Sequence, residues 1–186
     1  DFADTDWINA DNGVSIIIND ETHSVSTNEL NIYYLVSDVN LESTATQNHI
    51  MENGDLKHVQ GSSTNLVIGK SLLNNFDTVY IYVLVVDAAG NSTGVETKVY
   101  HVDDVNPTIT VNFDGEPIEG PIKTNVQVEI ELVLSDDESG LSTLSVYESP
   151  NTSPKEVIDV TGNYIYTIEK SGRYVFIVTD NVGRTS

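Results

Sequence analysis

Oxygen-bearing side chains fall in three short runs along this chain: Asp103, Asp104 and Asn106; then Asp136, Asp137 and Glu138; then Asp180 and Asn181. Donors of this kind suit a hard cation, since Ca2+ takes about 6 to 8 oxygens from carboxylates, amides and backbone carbonyls. Acid–base catalysis uses carboxylates differently, holding two of them about 5 to 9.5 Å apart across one bond. Adjacent acids such as Asp136 and Asp137 in a single loop fit a cation site or a solvated turn better. The chain has no cysteine, which excludes disulfides, thiol chemistry and cysteine metal sites. His23, His49, His58 and His101 have no metal-ligand spacing, and there is no His-Glu-x-x-His, Gly-x-Ser-x-Gly or phosphate-binding glycine loop. The residues read as those of a non-enzyme.

Charge narrows the partners. Eight basic residues stand against 29 acidic ones, for a net charge of -21 spread over both halves of the 186 residues. A phosphate backbone needs Lys and Arg to displace its counterions, so nucleic acid and anionic lipid surfaces are poor partners, and no nucleic-acid partner is expected. No apolar run approaches the roughly 20 residues of a membrane span, and the start of the chain has neither the charged nor the apolar region of a signal peptide. Direct membrane insertion is not expected, and a targeting signal is expected to lie outside this segment.

The elements that must position these carboxylates are strands. In "NVQVEIELVLSDD" the apolar residues Val126, Val128, Ile130, Leu132 and Leu134 alternate with Gln127, Glu129 and Glu131, a period of 2 with one wet face. "LNIYYLVS" and "TITVNF" alternate in the same way, and no helical periodicity is convincing; "ESTATQNHI" has room for a turn or two. Two apolar strands end on the same motif: Asp87 with Gly90, and Asp180 with Gly183. Each Asp is predicted to cap its turn through nearby backbone N–H groups while the glycine supplies a positive φ. An offset of 93 residues superposes the two motifs and aligns Ile81, Val83 and Val85 with Tyr174, Phe176 and Val178. An offset of 116 superposes "VSIIIND" on "IELVLSD". Two related modules are therefore expected, 1–103 and 104–186. The first carries extra residues around 41–64, where Asn53 and Gly54 signal a type I′ hairpin and an inserted hairpin or long loop is predicted.

"VVDAAGNSTGVETKVYHVDDVNPTITV" resembles the join between bacterial immunoglobulin-like repeats, including the hyalin-repeat type. "SDDESGLSTLSVY" resembles their loop and third strand, and "TDWINADNGVSIIIND" their entry to the second strand. The resemblance implies an all-β fold of two tandem immunoglobulin-like β-sandwiches, each lacking one edge strand here, as if cut from a longer array. It implies an extracellular, bacterial surface or secreted protein serving as a spacer or adhesion module, with neighbouring repeats, and a glycan or protein receptor, as its partners. The alternative is an accessory or carbohydrate-binding module of a secreted polysaccharide-degrading enzyme. In such a sandwich the loop after the second strand and the loop before the last strand share one end with the entry of the first. That gathers Asp103, Asp104, Asn106, Asp136, Asp137, Glu138, Asp180 and Asn181 at the junction, with structural Ca2+ as the candidate cofactor. Arg184 departs from the pattern, standing where the first module has Asn91.

Two surfaces are candidates for ligand contact. The inserted segment offers His49, Asn53, Gly54 and His58. Trp7, Tyr33, Tyr80, Tyr82 and Tyr100 are candidates for an aromatic platform, against the alternative of cross-strand pairs filling a sheet surface. Tyr80 and Tyr82 lie opposite Ile81, Val83 and Val85, so one face of that strand is expected to be less buried.

Overall fold

Alternating side chains write the strands of both halves, and each half closes as a pair of sheets around its own core. The computed structural model describes residues 6–19, 29–41, 43–61, 63–73, 76–123 and 126–186. The chain divides into two units, Asp1–Asp104 and Val105–Ser186.

In the first unit the elements are β1 (Trp7–Asn9), β2 (Val14–Asn19), β3 (Glu29–Ser37), α1 (Gln47–Asn53), β4 (Asp55–Gln60), β5 (Ser63–Ile68), α2 (Lys70–Leu73), β6 (Thr78–Asp87) and β7 (Glu96–Asp103). One sheet runs β1-β7-β6-β3-β4 and the other is β2-β5. All pairs are antiparallel except β1 with β7, where Trp7 aligns with His101. Between the sheets pack Val14, Ile18, Leu30, Ile32, Leu66, Ile68, Ile81 and Val83. Leu30, Ile32, Ile81 and Val83 among them are residues that alternation picked out.

The second unit comprises β8 (Thr108–Phe113), β9 (Glu116–Pro117), β10 (Val128–Ser135), β11 (Leu141–Glu148), β12 (Glu156–Asp159), β13 (Tyr164–Ile168) and β14 (Tyr174–Asp180). Its sheets are β13-β10-β8-β9 and β12-β11-β14. Ile130, Leu132, Leu144, Val146, Tyr166 and Val178 are buried between them. Beyond β14 the chain turns back, and Ser186 and Val178 exchange both backbone hydrogen bonds at 3.1 Å. The residues aligned by the offset of 93 do face the cores: Ile81, Val83 and Val85 in one unit, Tyr174, Phe176 and Val178 in the other.

The inserted segment is not the hairpin that Asn53-Gly54 signals. Residues 47–53 form α1, capped by Thr46, whose hydroxyl accepts from His49 N, and closed by Gly54 N donating to Ile50 O. Gly54 has φ -87, so the left-handed conformation of a type I′ turn is absent. Its role is close approach: a Cβ there would lie 2.6 Å from Ile50 O and 2.7 Å from Tyr34 O. Strands β4 and β5 follow one another but do not pair; β4 joins β3 and β5 joins β2, so the segment crosses between the sheets.

A second correction concerns β6. One of its faces was expected to be wetter, yet Ile81, Tyr82, Val83 and Leu84 are all buried. Helix α1 supplies the cover: Ile50, Tyr82 and Leu84 form a separate apolar cluster with Tyr33, Leu35, Leu41 and Tyr80 against it. The Tyr82 hydroxyl keeps its hydrogen bonding inside the protein by accepting from Leu41 N at 2.6 Å.

Candidate metal site

Each Asp-x-x-Gly motif closes the strand before it by the same device. Asp87 Oδ1 accepts from Ala89 N at 2.9 Å and Asn91 N at 2.7 Å. Asp180 Oδ1 accepts from Val182 N at 2.9 Å and Arg184 N at 2.8 Å. In both turns the glycine N–H returns to the Asp carbonyl, and Gly90 and Gly183 have φ 86. A carboxylate bonding two N–H groups of its own turn satisfies donors that the ending strand leaves over. The turns differ in the residue after the glycine. Asn91 Nδ2 donates to Asp87 Oδ2 at 2.8 Å, and the corresponding position in the second turn holds Arg184 rather than an amide.

In the second unit this turn meets the loop between β10 and β11. Asp136 Oδ1 accepts from Gly140 N at 2.6 Å, and Gly140 takes φ 82 to make that turn. Asn181 stitches the loops together, its N–H donating to Gly140 O at 2.9 Å and its Nδ2 to Ser139 O at 2.8 Å. A carboxylate oxygen of Asp136 and one of Asp180 consequently lie within 4.8 Å of each other. Asp180 is 2% exposed. Two carboxylates at this separation repel unless solvated or bridged, and a cation about 2.3 to 2.6 Å from each oxygen would span the gap.

The remaining candidates fall as follows. Asp137 is exposed and accepts from Ser135 Oγ at 3.3 Å, while Glu138 is half-buried in the same loop. Asn106 stands two residues before Thr108, which pairs with Ser135 beside Asp136. Asp103 and Asp104 belong to the first unit, where Asp103 ends β7 opposite Asn9. Asp20, aligned with Asp136 by the offset of 116, lies outside the described residues. Sequence reasoning missed Gly140 as the residue that turns the Asp136 loop; the signal was its place four residues after Asp136.

The other candidate surfaces are distributed through the first unit. His49 and Asn53 share one face of α1, where Asn53 Nδ2 donates to His49 O at 2.9 Å. His58 lies on β4 with Nδ1 2.9 Å from Asn31 Oδ1 and Nε2 3.8 Å from Glu29 Oε2. By register Trp7, Tyr33, Tyr80 and Tyr82 share the outer face of the five-stranded sheet, and Tyr100 lies on its core face. Tyr82 is buried, Tyr33 and Tyr80 pack with it under α1, Tyr100 packs on the main core, and Trp7 sits 5.2 Å from the His101 ring.

No protein-family model matches the chain, and no curated protein matches it. Among solved structures, the fibronectin(III)-like modules of Clostridium thermocellum CbhA are similar over 98% of this chain and 84% of theirs, with a TM-score of 0.50 and 10% identity. CBD12 from CALX1.2 is similar over 92% of this chain and 71% of that one, with a TM-score of 0.34 and 10% identity. The likeness to the CbhA modules is one of fold, and it agrees with the sheets described above: the chain is all-β, built as two immunoglobulin-like sandwiches.

Proposed function

We propose that the chain is a non-catalytic pair of sandwich modules from a bacterial surface or secreted protein, related to the bacterial immunoglobulin-like repeats, and that it works as a spacer or adhesion element among neighbouring repeats. The observation that carries this reading is that the polar motif repeated in both units is spent on architecture. Asp87 and Asp180 each bond the backbone of their own turn. The alternative, a carbohydrate-binding accessory module, needs aromatic rings open to a ligand on one surface; of the four candidates that share the outer face of the sheet, Tyr82 is buried and Tyr33 and Tyr80 are packed against its cluster. A glycan array probed with the whole chain tests the choice. No retained signal is expected; retention that is lost on changing Trp7 or Tyr33 to Ala would overturn the spacer reading.

In the same proposal Ca2+ is held by Asp136 and Asp180, with Asp137, Glu138, Asn181 and Asn106 as further oxygen donors. The separation of the first two carboxylates, within 4.8 Å, supports it. Extracellular Ca2+ modules bind with Kd of about 10⁻⁴ to 10⁻³ M, so tenfold excess over Kd stabilises the native state by about 1.4 kcal/mol. A rise in Tm of about 4 to 8 °C per kcal/mol is expected for a unit this small. An equal shift with Mg2+ at matched ionic strength, or an unchanged response in the Asp136→Ala, Asp180→Ala double variant, would remove the site.

A further inference from the structure

We draw no further inference here: the strongest candidate, the cavity lined by Val111, Ile118, Ile122, Ile168, Tyr174 and Phe176 at the end of the second unit where β13 leads to β14, is bordered in the chain by residues 124 and 125, which lie outside the described residues, and nothing in the structure shows what fills it.

Discussion

Strands β6 and β14 share their inward residues and differ on the opposite face. Tyr82 and Leu84 on β6 are fully buried, while Val175 and Ile177, aligned with them at the offset of 93, are 40% exposed and half-buried respectively. The strands are equivalent in their sheets, β6 antiparallel to β3 and β14 antiparallel to β11, each partner being the strand after the pair aligned at the offset of 116. Helix α1 accounts for the difference. It places Ile50 on the outer face of β6 and β3 and makes a third layer there. One sandwich has thus turned the segment between its third and fifth strands into packing, whereas the other keeps a plain sheet surface. A difference in loop length between related modules is therefore not by itself a sign of a binding surface; here much of the added length fills the space over a sheet.

The largest test of this comparison is to remove the helix's anchor. Ile50 is 0% exposed, and a buried Ile cut to Ala typically costs about 2 to 5 kcal/mol. Hydrogen exchange at the β6 amides should register that loss for Ile50→Ala. Ile177→Ala on the second unit's outer face should cost less than about 1 kcal/mol, as for partly exposed apolar positions. Equal losses would mean that α1 adds nothing to the first unit's stability.

Next in size is Gly54→Ala. The new methyl would press on two backbone carbonyl oxygens at 2.6 and 2.7 Å, and overpacking of this kind costs about 1 to 3 kcal/mol. Gly90→Ala is the matched control for a different cause, because its Cβ would meet open space but its φ is 86; a left-handed residue other than glycine costs about 1 to 2 kcal/mol. Urea unfolding of the two variants separates them further: only Gly54→Ala should also strip protection from α1.

The two turn carboxylates sharpen the comparison at smaller amplitude. Removing Asp180, 2% exposed and bonded to two backbone N–H groups, should cost about 1 to 3 kcal/mol as Asp180→Ala. Asp87→Ala should cost less, because Asp87 is half-buried, the turn after it is exposed, and water can replace the lost acceptor. Reversed magnitudes would show that the Asn91 amide matters more than burial.

The smallest effect is set by pH. Burial, with Asp55 and Asp6 as secondary causes, holds Tyr34 and Tyr100 of the first unit above the usual phenol value of 10.0. Burial followed by Glu148 does the same for Tyr174 of the second. A raised folded-state pKa gives stability that is complete below pH 10 and is lost as pH climbs through the folded value. Both units should therefore hold a level Tm from pH 8 to about 9.5 and weaken above 10. Tyr34→Phe with Tyr100→Phe should flatten the decline in the first unit, and Tyr174→Phe in the second.

Alternation and turn chemistry were readable at particular residues. Val128 to Leu134 announced β10, and the paired Asp-x-x-Gly motifs announced the ends of β6 and β14, because both signals act within a few residues of chain. The coming together of Asp136 and Asp180 required one inference more, that two loops of a sandwich share an end. The insertion was misread because Asn-Gly is a local signal with two uses. Only the backbone of residue 34, twenty positions earlier in the chain, decides that Gly54 is there for contact.

What the sequence alone determined is the all-β class, the strands with clear alternation and the turns that end β6 and β14, since periodicity and Asp or Gly chemistry operate at short range. Tertiary structure decided which face of β6 is covered, which aromatics are buried, and that β4 and β5 join different sheets. Those outcomes depend on what packs from far along the chain. Tyr82 carries the same phenol ring whether it faces water or Ile50, and the position of α1 makes the difference.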